Sequence, residues 1–174
     1  MQRLILVLAL LTFGPENAAA EDVPAQTIAA SLAGDWQGHL EYRDYRTDKR
    51  VRIPHARRVL AAPDASYLLS ALEFTDPGYK VYNAEVLTFA GDQVKIAFVG
   101  SGSIDLDAVT MERFEETSDG WAATFTGSGE DAGQPAAIQF AWRLAGDELS
   151  IEKRVKTTGE ADFSFRNGVV LQRQ

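Results

Sequence analysis

The chain has 174 residues, no cysteine and a net charge of −8, which excludes a disulfide framework and argues against a nucleic-acid binder, whose footprint is basic. With 45 % apolar residues, a chain of this length can bury one core without covalent staples.

At the N-terminus Met-Gln-Arg precedes the apolar run LILVLALLTF (Leu4–Phe13) and then GPENAAAED. That charged, apolar, small-residue order predicts a signal peptide over 1–20, cleaved after Ala20, where Ala18-Ala19-Ala20 meets the small-x-small rule. The run is far short of the ~20 residues that span a bilayer, and no later segment comes near that length, so no transmembrane segment is expected. A periplasmic or secreted protein is the expectation. Residues 21–31 read as a loose N-terminal lead-in, with one turn of helix expected within PAQTIAASLAG (24–34).

From Asp35 onward apolar and polar residues alternate with period two, and Gly-, Pro-, Asp- or Ser-rich turns interrupt them about every ten positions. The segments so defined are DWQGHLEYRDY, VRIPHARRVLA, SYLLSALEFT, KVYNAEVLTFA, QVKIAFVG, AVTMERFEE, GWAATFTGSG, AAIQFAWRLA, ELSIEKRVKT and DFSFRNGVVLQR. They predict an all-β domain over 32–174: a single antiparallel up-and-down meander of about ten strands. Closing the meander into a β-barrel removes both free edges; a two-sheet sandwich of the same strands is the alternative. The phase places Trp36, Leu40 and Tyr42 inward, with Val51, Ile53 and Val59, then Tyr67, Leu69 and Ala71, then Val81, Leu87 and Phe89. Further along it adds Ile96 and Phe98, Val109 and Met111, Trp121 and Phe125, Ile138 to Leu144 in steps of two, Leu149 and Ile151, and finally Phe163, Phe165 and Leu171.

Several polar residues share that inward phase: His55, Arg57, Glu73, Asn83, Glu85, Arg113, Lys153 and Asn167. A buried unpaired charge costs several kcal/mol, so these groups must pair, reach the rim or meet a guest. Arg57, Glu85 and Arg113 are the first candidates for ligand binding, with Tyr67, Asn83 and Trp142 as neighbours in a mixed pocket. Outside that set, the stretch RDYRTDKRVRIPHARR (43–58) carries seven cations against Asp44 and Asp48. It reads either as a solvated hairpin or as a face for an acidic protein or lipid headgroup.

Other chemistry finds little support. The two histidines, His39 and His55, lie on neighbouring strands near Glu41, but their spacing matches no metal motif. There is no Gly-x-Ser-x-Gly elbow and no thiol. VGSGSIDLD (99–107) follows a strand without opening a helix, so it reads as a turn and not as a phosphate cradle or calcium loop. Neither a metal nor a cofactor is expected.

The opening Leu32-Ala33-Gly34-Asp35-Trp36, with Gly38 two residues on, resembles the Gly-x-Trp signature at the first strand of lipocalins and their calycin relatives. The resemblance implies a basic residue of the last strand packed across the Trp ring, with Arg173 or Arg166 in place for it. The chain departs from most secreted lipocalins in lacking Cys, and from fatty-acid-binding barrels in lacking a helical lid between its first two strands. WQGHLEY also looks like the opening of nitrobindin-type haem barrels, which ligate iron through a late histidine; here no histidine follows His55.

The expected function is an exported, non-catalytic barrel that binds a small amphipathic or anionic molecule, with Arg57 or Arg113 holding a negative group. The rival is an envelope protein-interaction module with a filled barrel and the 43–58 hairpin as contact surface. A third reading is an isomerase or hydrolase acting through Glu85 or Glu73, which rests on fold analogy alone.

Overall fold

The order of elements is α1 (Val23–Leu32), β1 (Gly34–Asp44), β2 (Lys49–Ala61), β3 (Tyr67–Asp76), β4 (Tyr79–Ala90), β5 (Gln93–Val99), β6 (Ile104–Thr117), β7 (Gly120–Asp131), β8 (Gln134–Ala145), β9 (Glu148–Thr157) and β10 (Ser164–Arg173). The structure, a computed structural model, describes residues 23–44, 47–76, 78–100 and 102–174; the expected signal peptide at 1–20 lies outside the described residues. Each strand pairs antiparallel with the next, and β1 pairs with β10 from Trp36↔Arg173 to Tyr42↔Asn167. The sheet is therefore a closed barrel and not a sandwich.

Alternation is what drives each strand to lie with one face in. On β8, Ala136, Ile138, Phe140, Trp142 and Leu144 are buried, while the residues between them are more exposed. The β7–β8 hairpin turns on Ala132 (φ 50°) and Gly133 (φ 74°), the doubly left-handed conformation of a two-residue turn whose twist suits the strands.

One end of the barrel is plugged. Where a loose lead-in over 21–31 with one turn of helix within 24–34 is expected, Val23–Leu32 form α1, whose Ile28 and Leu32 are buried among Trp36, Trp121 and Leu149 in the core. Trp36 Nε1 donates to the Leu32 carbonyl (2.9 Å), and Trp121 Nε1 donates to Ser31 Oγ (2.8 Å). Arg173 lies 4.2 Å above the Trp36 ring and donates to the carbonyls of Ala33 (2.9 Å) and Ser31 (2.5 Å). The cation–π contact expected from the lipocalin resemblance is thus present, and it also ties the helix to the last strand. The apolar core fills this end, with Val59, Leu68, Leu87, Val94, Val109, Phe125 and Leu171 packed above the plug.

Three features displace residues from their expected face. On β3 the buried phase is Leu68, Ser70 and Leu72, so Tyr67, Leu69, Ala71 and Glu73 point outward; Tyr67 is 47 % exposed. Leu68 and Leu72 bracket Ser70 on one face while Tyr67 and Leu69 precede Ala71 on the other, so apolarity alone does not choose between the faces. On β6 a bulge between Met111 and Arg113 inserts one residue, so Phe114 turns inward opposite Ala123 while Arg113 turns outward opposite Thr124 and pairs with Glu115. On β10 a second bulge between Phe165 and Asn167 sets Arg166 into the barrel. Phe165 and Phe163 accordingly pack against the cations of Arg50 (3.9 Å) and Lys156 (5.4 Å) and not in the interior. β6 also starts earlier than expected: Asp105 and Asp107, read as part of a turn, are on the strand.

Candidate functional site

Above the packed end the barrel is hollow. A cavity of about 550 Å³ is lined by apolar side chains from many strands, among them Leu40, Leu72, Ile96, Phe98, Phe140 and Trp142. This lies inside the ~300–1,000 Å³ range of small-molecule sites. The cavity ends at the β7–β8 turn, where Asp131, Ala132 and Gly133 line it, so its mouth is opposite the helical plug.

Charge enters the wall as ion pairs made inside the barrel. Arg57 on β2 donates to Glu85 on β4 at 2.9 Å, both largely buried. Lys153 on β9 bonds Asp107 on β6, with β7 and β8 between their strands. Arg166 on β10 bonds Asp131 on β7 at 2.6 Å. The Asp107 carboxylate has room only because β7 carries glycine beside it: a Cβ on Gly129 would stand 2.1 Å from Asp107 Oδ1. Together with Asp105 and Glu130, these pairs make a polar upper wall over an apolar floor.

His55 joins this wall from β2. Its ring stacks on Phe74 with centroids 4.4 Å apart, and Nδ1 lies 3.0 Å from the Glu73 carbonyl. A carbonyl only accepts, so Nδ1 carries the proton and Nε2 presents a lone pair. Burial pushes its pKa down to about 4, with the neighbouring Arg57 cation acting in the same direction and the hydrogen bond to Glu73 opposing. Among the described residues, His55 Nε2, Arg57 Nε, Asn83 Oδ1 and Trp142 Nε1 are buried side-chain atoms without a hydrogen-bond partner. Such orphans are rare in folded interiors, and here three of the four belong to residues of the cavity wall.

The candidate residues separate accordingly. Arg57, Glu85 and Trp142 line the cavity together. Asn83 lies on the inner face opposite Leu72 but is not among the residues that line the cavity. Tyr67 and Arg113 stand outside, one through the phase of β3 and the other through the β6 bulge. Glu73 is likewise outside, paired with Lys80 at 2.5 Å, so cavity chemistry through it falls away. Asp107, Asp131 and Arg166 were missed as wall residues. A signal for Asp107 existed in Gly127-x-Gly129, which leaves space on the inner face of β7; nothing in the sequence marks the bulge that turns Arg166 inward.

Among the described residues of the basic stretch at 43–58, most cations are paired. Arg43 pairs with Asp48, Arg50 and Arg52 both with Glu41, and Arg58 with Asp35, while Arg57 turns inward to Glu85. The arginine hydrogen bonds hold the Glu41 and Asp35 carboxyls below their ordinary range. His39 lies on the outer face beside Glu41, apart from the buried His55, and no cluster of His, Asp or Glu suited to a metal occurs among the described residues.

No family model matches the sequence, and no curated protein matches it significantly. Solved structures do share its fold. The Mycobacterium tuberculosis protein Rv2717c is similar at a TM-score of 0.64, with 17 % identity over 87 % of this chain and 98 % of that one. An S-type phycobiliprotein lyase, CPES from Guillardia theta, is similar at a TM-score of 0.53, with 12 % identity over 92 % of this chain and 98 % of that one. At these identities the likeness speaks for the architecture: the chain folds as a closed, ten-strand, lipocalin/calycin-like barrel.

Proposed function

We propose that this is an exported, non-catalytic carrier that holds a small amphipathic molecule inside its barrel. The observation that carries the reading is the cavity of about 550 Å³, apolar below and lined by ion pairs above, in a barrel whose opposite end is plugged by α1. An apolar body would lie against Phe98, Phe140 and Trp142, and a polar end would meet Arg57, Lys153 and Arg166. Each of those cations already faces a carboxylate, which favours a guest with both donors and acceptors over a bare anion. Export rests on the leader at 1–20. The likeness to a phycobiliprotein lyase supports the reading only through the shared hollow barrel.

The test uses the position of the tryptophans. Trp142 is in the cavity wall, while Trp36 and Trp121 sit beside the helical plug. A bound guest raises the melting temperature, by the equivalent of about 2.7 kcal/mol at a hundred times its dissociation constant. It also changes tryptophan emission in the native chain but not in Trp142→Phe. A panel of fatty acids, haem, flavins, quinones and organic anions that yields neither effect sinks the proposal.

A further inference from the structure

The outer surface of the barrel is not uniform. Across β3, β4, β5 and β6 the register places Leu69, Val86, Ala97 and Leu106 in one outward row and Ala71, Ala84, Val99 and Ile104 in the next. Leu60 on β2 extends the first row opposite Leu69, and Tyr67 and Tyr82 flank the block on the same face. This two-row block contains no charged residue. Among the described residues, the exposed large apolar side chains are Leu60, Tyr67, Leu69, Tyr79, Tyr82, Val99, Ile104 and Leu106, and all but Tyr79 belong to this one face. By contrast, the outward positions of β7 and β9 carry Thr124, Thr126, Ser128, Glu152, Arg154 and Lys156.

We infer that this face docks a second copy of the same chain. Exposures from 37 % at Val99 to 71 % at Ile104, over the seven large side chains, amount to roughly 700 Å² of side-chain surface, close to the ~800 Å² that each partner gives to a stable interface. That is more than an ordinary monomer leaves uncovered in one patch. The small residues Ala71, Ala84 and Ala97 form a low strip between the Leu60–Leu69 and Ile104–Leu106 ridges, so a facing sheet can approach closely. With charges only at its border, such as Arg58 and Lys95, the patch has no pattern that would select an unlike partner. A self-complementary apolar face is what a two-fold homodimer uses. A closed barrel has no edge to offer, so the contact is face to face and made by side chains. A lipid surface is a poorer occupant, because a chain of net charge −8 is repelled by anionic headgroups.

Sedimentation equilibrium of the full chain is expected to give the mass of two chains at 10–50 µM, and Leu69→Glu with Leu106→Glu to weaken association at least a hundredfold. Thr126→Glu, on the polar side, is expected to leave it unchanged. The absence of cysteine supplies a measurement that avoids charge insertion: a nitroxide on Leu106→Cys should report a spin–spin distance of 20–40 Å between copies, and one on Ala141→Cys, on the far side, none below 50 Å. A native chain that stays monomeric overturns the inference, as does a dimer that Leu69→Glu with Leu106→Glu leaves intact or that brings the label on Ala141→Cys close. A monomer that instead sediments with neutral phosphatidylcholine vesicles, and loses them in the Glu variant, assigns the face to lipid and likewise overturns it. Guest binding in the cavity is read separately through Trp142, so either proposal can fail alone.

Discussion

His55 stacked on Phe74 gives the barrel a dependence on acidity that one side chain accounts for. Its folded pKa of about 4 lies below the unfolded value of 6.5, so between those two pH values the unfolded chain binds the extra proton. Stability contributed by the neutral ring is full above pH 6.5, declines as the pH falls and is gone below pH 4; a shift of this size corresponds to about 3 kcal/mol. Urea midpoints measured from pH 7.5 to 4 should fall in the native chain and fall clearly less in His55→Phe, which keeps a ring to stack. Equal slopes would show that other groups carry the acid sensitivity. At this scale the sequence was partly readable. A histidine, an arginine and a glutamate in an apolar phase had to be paired or poised, and Arg57–Glu85 is such a pair. Which carboxylate met Lys153 was not readable, because Asp107 reaches it from three strands away.

Turns and strands show where local pattern suffices and where it does not. The hairpin at Ala132–Gly133 holds a Cβ-bearing residue at φ 50°, a conformation that costs an alanine roughly 1 kcal/mol and that asparagine tolerates better. Ala132→Asn should raise stability by about 0.5–1 kcal/mol in denaturant titration; a loss would mean that the alanine is held by its cavity contacts instead. Every one of the ten strands was visible as alternation between turn residues, because a strand with one wet face writes its period into the sequence. β3 was legible as a strand but not in phase, and the reason is physical: its outer face carries Tyr67 and Leu69, which are as apolar as the inner Leu68 and Leu72. The bulges at 111–113 and 165–167 were hidden because one inserted residue exchanges the faces without altering composition. Helix α1 gave only a weak signal, since small apolar residues such as Ala25 and Ala29, buried together with Ile28, leave little contrast between faces.

For the whole molecule, closure into a barrel was legible from the strand count and from Gly34-x-Trp36, whereas the hollow upper half was not. Its volume depends on which side chains cross the lumen, and that is settled by ion pairs between distant strands. Closure has a further effect, on the order of assembly. Every ladder but one joins strands adjacent in sequence, and such hairpins form without gathering in distant chain. Only the β1–β10 ladder must bring Trp36 to Arg173, and the entropy of that long loop is lost before its contacts form. The seam is therefore expected to zip last, after the rate-limiting barrier. In stopped-flow chevrons Leu171→Ala, at a fully buried seam position, should lose about 2–4 kcal/mol, nearly all of it as faster unfolding with the refolding arm little moved. A slowed refolding arm would place the seam in the nucleus. On this account the barrel opens along one line, where its first and last strands part.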